Sequence, residues 1–445
     1  MNFSTDKQTL EDLNVFGKRG DSSVYGIFSH TQTRGGAVLL EQLFREPLSR
    51  PDAIRKRIAI FRLFAESAFS FPFKPEWFDA AEQYLANTDE RTKLSQADGS
   101  LERRIRGLIS TNTEESIIQK GIASLVEMVE ACRDFVSVMA ADGSAYAEEC
   151  RLIRGLLGDA AFTGVLRQSP RKKISFDEMA GLDEQLRFRY RPVVRRLLER
   201  IYYLDLYLTV ARVAVARKFA FPAVLDRGSN TVRLQGLYHP GLPGAVPNSI
   251  TITSDNNIVF LTGANMAGKS TFMKSLGIAV YLAHMGFPVA ASSMEFAVLD
   301  GLFTTINLAD NPGLGASHFY AEVLRVKKVA EELNRGRNLL VIFDELFRGT
   351  NVKDAYEATI AITGAFASKR NSIFVISTHI IEAGEVLREQ CDNIGFLFLP
   401  TRMDGHRPVY TYQLERGITD DRHGMVIIRN EGILDILEKG NWQAS

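Results

Sequence analysis

The run from Ile258 to Phe272, I-V-F-L-T-G-A-N-M-A-G-K-S-T-F, constrains this chain more than any other, because a short apolar strand passes straight into G-x-x-x-x-G-K-S. Gly263 and Gly268 let the backbone turn so that successive N–H groups along Ala264, Asn265, Met266, Ala267 and on through Thr271 face the β- and γ-phosphate oxygens of a nucleotide. The helix that follows adds the positive end of its dipole. Lys269 supplies a point charge to the phosphates, and the Ser270 hydroxyl is the expected ligand to an octahedral Mg2+ that keeps most of its waters. A chance glycine turn before a helix is the bland alternative. The strand-turn-helix context is what separates the two.

A second segment completes such a site. Leu339 to Glu345, L-L-V-I-F-D-E, reads as an apolar strand ending in two carboxylates, and in open α/β sheets reactive groups gather at the carboxyl ends of strands. Asp344 is placed to hold Mg2+ through water, and Glu345 to polarise a water for in-line attack on the γ-phosphate. A further strand, I-F-V-I-S-T-H, ends at His379, which is placed to sense the γ-phosphate or position the water. By position alone a histidine after a strand is more often structural.

From Leu39 to about Tyr238 the pattern is mainly helical. Val193 to Phe219 is the clearest stretch: Val194, Leu197, Leu198, Ile201, Leu204, Leu208, Ala211 and Val215 recur at steps of three and four and line one helical face, as in a lever or in an ordinary bundle helix. The pattern breaks between Phe219 and Gly244, where D-R-G-S-N and H-P-G-L-P-G mark a boundary. Beyond it, apolar β runs at Ile258–Leu261, Leu339–Phe343 and Ile373–Ile376 alternate with helical stretches, which predicts a mostly parallel sheet covered on both faces. The chain therefore reads as a mainly α-helical core or lever domain over 1–238, followed by an α/β P-loop domain over 239–445. Edge strands and a closing helix near Ile433 to Leu437 are expected at its end.

Lys+Arg and Asp+Glu both number 53, so any nucleic-acid surface is a local patch and not a property of the whole chain. The candidate patch is Arg167, Arg171, Lys172 and Lys173, continued by Arg187, Arg189, Arg191, Arg195 and Arg196. It reads either as a phosphate-neutralising stripe or as a solvated face balanced by Asp177, Glu178 and Glu184. Cys132, Cys150 and Cys391 show no C-x-x-C spacing and read as reduced core residues, with no zinc knuckle or disulfide framework. No segment has the length needed to cross a bilayer, and the N-terminus lacks a basic region followed by an apolar run, so a cytoplasmic protein with no membrane partner is expected.

The motifs resemble those of one family, the MutS mismatch-repair ATPases. T-G-A-N-M-A-G-K-S-T is similar to the family's T-G-P-N-M-G-G-K-S-T, including Asn265 and Met266, which the general pattern does not require. D-E-L-F-R-G-T-N-V-K-D-A resembles D-E-I-G-R-G-T-S-x-x-D-G, S-T-H at 377–379 resembles A-T-H, and G-A-S-H-F-Y-A-E at 315–322 resembles G-x-S-T-F-M-x-E. Further upstream, the run around Thr31, Thr33, Gly36, Pro47 and Leu48 resembles the start of the family's core domain, and Y-H-P-G its junction with the ATPase. Ala264, Ala267, His318, Phe347 and Ala355 depart from the motifs, replacing a proline, a glycine, a threonine and two glycines in turn. None of these changes removes a phosphate or metal ligand. Phe64-Ala65-Glu66 has the letters of the family's mismatch wedge but lies in a predicted core helix and is read as coincidence.

The resemblance implies an ABC-type ATPase using ATP and Mg2+, working as a head-to-tail homodimer. Each composite site would combine Gly263, Asn265, Lys269, Ser270, Asp344, Glu345 and His379 of one copy with Ser317 of the other. It also implies a DNA partner, duplex or branched, and a role in DNA repair or recombination. The expectation is a truncated form without the family's mismatch-reading and connector domains, so that mismatch specificity does not follow. An RNA- or ribosome-remodelling ATPase and a nucleotide-toggled scaffold with negligible turnover are the competing classes. A transporter engine is disfavoured by the missing L-S-G-G-Q signature.

Overall fold

The computed structural model describes residues 3–17, 23–67, 69–94, 111–139, 143–166, 174–226, 228–306, 318–404, 407–419, 432 and 436–437. By their contacts they fall in two units: Ser29–Gln42 with Ala59–Arg212, and Met1–Phe28 with Leu43–Ile58 and Val213–Ser445. This division differs from a single cut at 238/239, because N-terminal pieces group with the second unit. Within that unit Ser4 bridges Gly301, and α1 (Lys7–Asp12) is capped by Asp6, whose carboxylate also binds Arg325 and Lys328. Asp12 accepts from the Thr304 hydroxyl at 2.7 Å and the Ile306 N–H at 2.9 Å. Contacts this distant in sequence leave no trace in local composition. A short helix, α2 (Val24–Phe28), follows in the same unit.

From Arg34 to Arg217 the described chain is helical: α3 (Arg34–Arg45), α4 (Pro51–Glu66), α5 (Pro75–Ala86), α6 (Thr111–Met139), α7 (Ala147–Leu157), α8 (Ala160–Leu166), α9 (Phe176–Asp183) and α10 (Arg191–Arg217). Local signals start several of them. Pro51 and Pro75 open α4 and α5, where the missing N–H costs nothing. Ser175 and Glu178 form a reciprocal capping box on α9, and the buried Asp205 carboxylate accepts the N–H groups of Gln32 and Thr33 at the start of α3. On α10 the expected face is buried at Val194, Leu197, Leu198, Ile201, Leu204, Leu208 and Ala211, whereas Val215 is 60% exposed. Every residue from Leu204 to Ala211 is buried, so this part of α10 is covered on all sides, as in a bundle helix.

Arg187 corrects the basic-stripe expectation. It lies in a short π turn, Glu184–Arg189, with no exposed side-chain surface, and pairs with Asp183 at 2.6 and 2.8 Å. Its remaining donors reach the Thr92 hydroxyl and carbonyl, and Tyr84 also donates to Asp183. A guanidinium paired and hydrogen-bonded in this way is a core group and not a phosphate contact. Arg189, Arg195 and Arg196 are exposed. Arg167, Arg171, Lys172 and Lys173 lie outside the described residues, as does most of the expected closing helix. Cys132 and Cys150 are buried and Cys391 half-buried, all three as free thiols.

Past Arg217 strands and helices alternate: β1 (Ala223–Leu225), β2 (Val232–Leu237), β3 (Asn248–Ile252), β4 (Ile258–Gly263), α11 (Lys269–His284), β5 (Ser293–Ala297), β6 (Gly301–Thr305), α12 (His318–Asn334), β7 (Leu339–Asp344), α13 (Val352–Ala367), β8 (Ile373–Ser377), α14 (Ile381–Gln390), β9 (Ile394–Leu399), β10 (Thr401–Asp404), β11 (Arg407–Tyr410) and β12 (Glu415–Arg416). Six strands form one sheet in the order β12-β9-β4-β8-β7-β6, parallel throughout except for β12. β4, β6 and β8 are buried along their whole length and β7 up to Asp344, which is why they read as continuous apolar runs rather than alternating ones. A smaller sheet, β1-β5-β2-β3, and the β10–β11 hairpin stand beside it. In the large sheet β8 lies between β4 and β7, so the carboxyl ends of all three open on the same edge.

Candidate functional site

The turn after β4 runs through left-handed backbone at Gly263 (φ 144°), Met266 (φ 68°) and Gly268 (φ 101°). A Cβ at Gly268 would stand 3.1 Å from the Tyr412 ring, so both the torsion and the space there call for glycine. Asn265 and Met266 project outward, Met266 at 79% exposure, while Ala267 is buried. Lys269 opens α11 and folds back on the turn, its ammonium donating to the carbonyls of Gly263 at 2.9 Å and Ala264 at 3.2 Å. Burial lowers its pKa, and the nearby Asp344 and Glu345 charges oppose that shift.

Ser270 donates to Asp344 Oδ2 at 2.5 Å, bringing the end of β7 to the start of α11. Burial raises the Asp344 pKa, with the Ser270 hydroxyl working against the shift. Asp344 Oδ1 and the Ser377 hydroxyl, partners in the β7–β8 register, are both buried without a hydrogen bond of normal geometry. Glu345 follows in left-handed backbone (φ 53°), its N–H donating to Ser377 O at 3.0 Å. Its carboxylate meets His379 Nε2 at 2.7 Å through Oε1 and Arg348 at 3.1 Å through Oε2. The His379 hydrogen bond, helped by Arg348, holds its pKa down at about 2. The Thr378 N–H donates to Leu261 O, fixing the strand end that carries His379 against β4.

A cavity of about 600 Å³ opens over this edge. Ala264, Asn265, Met266, Gly268, Lys269, Ser270, Thr271 and Glu345 line part of it, so the structure gathers most of the residues singled out by motif. Gly263, Ala267, Asp344 and His379 are not part of that lining, and Ser317 lies outside the described residues. The remaining wall includes Tyr238, His239, Asn248 and Tyr412, none of which the motifs assign to the site. Asn248 holds the Tyr412 segment in place, donating to Tyr412 O at 2.9 Å and accepting from the Leu414 N–H at 2.7 Å. Burial, and then Lys274, lowers the His239 pKa. Y-H-P-G was a legible signal for Tyr238 and His239. Nothing near Tyr412 in sequence points to a pocket.

The family model for MutS domain V matches residues 259–440, which contain the turn, both carboxylates and His379. Proteins named DNA mismatch repair protein MutS are similar to this chain over its C-terminal part. That of Fusobacterium nucleatum is 29% identical over 254 residues, 55% of this chain and 28% of its own length. That of Petrotoga mobilis is 29% identical over 258 residues (56% and 31%), and that of Streptococcus suis 28% over 273 (58% and 31%). Residues 259–440 are thus similar to MutS domain V. The chain spans less than a third of the length of these curated relatives. In the matched region the glycine turn, the β7 carboxylates and the histidine after β8 are three separate sequence segments brought to one sheet edge by the strand order β4-β8-β7. Among the described residues no cluster of three or more His, Cys, Asp or Glu side chains is poised to hold a metal, and no helix is long and apolar enough to cross a membrane.

Proposed function

We propose that this chain is a Mg2+-dependent ATPase of the MutS family whose nucleotide sits in the cavity over the β4-β8-β7 edge. What carries the reading is the meeting of Lys269 and Ser270, from the turn after β4, with the Asp344–Glu345 pair from a strand two places away. The N–H groups of the turn and the dipole of α11 would hold phosphate oxygens, and the Lys269 ammonium would exchange the Gly263 and Ala264 carbonyls for them. Ser270 and Asp344 are the residues that would hold Mg2+. Both offer hard oxygen donors, and the orphaned, buried Asp344 Oδ1 suits a cation better than it suits the dry interior. The bound ion supplies charge stabilisation to the transferring phosphoryl group.

Glu345 would orient and polarise the attacking water. A carboxylate with a pKa near 2 is ionised at neutral pH and is a weak proton acceptor, which favours orienting the water over taking its proton. His379 and Arg348 each hold one of its oxygens, so the water would share an oxygen already anchored. A second copy of the chain would contribute Ser317, and the helical unit would carry the closing and opening of that dimer to DNA, in keeping with the relatives' names.

Steady-state ATP hydrolysis tests this reading at one fixed salt concentration, without polymer and with perfect duplex, mismatched duplex, a four-way junction and structured RNA. Stimulation by duplex or junction is the expected outcome. Stimulation by RNA alone would move the assignment to an RNA-remodelling engine, and ATP-dependent dimerisation without turnover to a nucleotide-toggled scaffold.

A further inference from the structure

The turn that presents Glu345 is built from residues poorly suited to its shape. Glu345 (φ 53°) and Phe347 (φ 64°) both occupy left-handed backbone, which is strained for a residue with a Cβ. Such torsions persist only where the surroundings over-determine them. At Glu345 the restraint is polar: the Ser377 carbonyl, His379 and Arg348. At Phe347 it is apolar. The side chain is 4% exposed and belongs to the core cluster containing Leu346, Phe343, Val326 and Val329, and its ring meets that of Phe319 at 6.0 Å and 58°. Phe319 is the second residue of α12 and lies two residues, at most about 7 Å of chain, from Ser317. A glycine here, as in the related motif, would relieve the strain at this position but would lack the ring's contacts. This chain accepts the strain and gains a contact to another element.

We propose that Phe347 is a positioning residue for Glu345: its buried ring locks the turn after β7 and ties it to Phe319, so that the Glu345 carboxylate and the first turn of α12 move as one body. The proposal rests on the reading that Glu345 polarises the attacking water. Displacing that carboxylate by an ångström is enough to lower turnover by about 100-fold. Nucleotide affinity, set by the glycine turn and Lys269, does not depend on the ring.

The test measures kcat and KM for ATP hydrolysis by the full chain, binding of a fluorescent ATP analogue, and Tm, for Glu345→Gln, Phe347→Gly, Phe347→Tyr, Phe319→Ala and the Phe347→Gly/Phe319→Ala pair. Phe347→Gly is expected to lower kcat by roughly 10- to 100-fold with KM within about threefold of wild type. Phe347→Tyr, which keeps the ring, should retain most of the rate. Phe319→Ala should act in the same direction, and the pair should be no slower than Phe347→Gly alone, as expected of two residues acting through one contact. If Glu345→Gln abolishes turnover while Phe347→Gly leaves kcat within twofold of wild type, the positioning role is overturned and the reading of Glu345 stands. Multiplying effects in the pair, or a loss of kcat and analogue binding in parallel with Tm, would also overturn it. Turnover by Glu345→Gln at the wild-type rate overturns instead the reading on which the proposal rests.

Discussion

The turn after β4 and the turn after β7 border one cavity, and both pass through left-handed backbone, but they reach it by opposite means. The first uses mainly glycine, Gly263 and Gly268, where positive φ carries no steric cost, with Met266 (φ 68°) as its one strained residue, and its tip, Asn265 and Met266, projects into solvent. The second uses Glu345 and Phe347, where positive φ is strained, and holds them with a buried ring and three polar partners. One shape is encoded mainly by its glycines and the other is imposed mainly by packing. A local turn forms wherever its glycines are; an imposed turn changes when a distant element moves.

The largest effect that would test the contrast is Lys269→Ala. Its ammonium bonds only to the turn's own carbonyls among the described residues, so removal should leave the fold intact and weaken ATP binding by more than about 100-fold, read by titration with a fluorescent ATP analogue. Binding within a few fold of wild type would mean that the turn does not cradle phosphate. Asp344→Asn should raise the Mg2+ concentration for half-maximal hydrolysis by roughly 10-fold or more, while Tm holds or rises, because a neutral amide escapes the burial penalty that raises the Asp344 pKa. A fall in Tm together with an unchanged Mg2+ requirement would assign Asp344 a purely structural place.

Gly268→Ala probes the locally encoded turn. The added Cβ meets both an unfavourable φ and the Tyr412 ring, so about 1–2 kcal/mol of strain and a loss of roughly 10-fold in nucleotide affinity are expected. Should the variant bind as tightly as wild type, the first turn is as dependent on its surroundings as the second. The smallest effect concerns pH. Glu345 has its pKa lowered from 4.5 to about 2, so its ionic contacts add stability that is fully present above pH 4.5 and disappears as the pH falls through about 2. Thermal melts of wild type and Glu345→Gln should therefore converge over that window, and parallel curves would show that the packed turn holds without the charge.

Much of the domain matched by the MutS model was legible in the residues alone. The β runs anticipated at Ile258–Leu261, Leu339–Phe343 and Ile373–Ile376 lie within β4, β7 and β8, and the long helix anticipated at Val193–Phe219 is α10, shifted by two residues at each end. Apolar runs and three-to-four spacing survive folding because they are what a two-faced sheet and a bundle helix require. Other features were not legible. Arg187 read as part of a basic stripe, but Asp183, Tyr84 and Thr92 bury it. Val215 fitted the apolar face yet is exposed, since periodicity says where a face lies and not where its cover ends. Tyr412 walls the cavity only because Asn248, far from it in sequence, holds its segment.

The sequence by itself determined the glycine turn after β4, the two carboxylates at the end of β7 and the strand that leads to His379, because each depends on a few consecutive residues whose torsions or side chains are fixed by type. Only the tertiary structure decided that Asp344 reaches Ser270, that Glu345 is held by both His379 and Arg348, and that Phe347 leans on Phe319. Those contacts join segments that the chain separates and the strand order reunites. Residues remote in sequence pack together only when burial across the whole sheet offsets the cost of ordering them, and no local pattern records that balance.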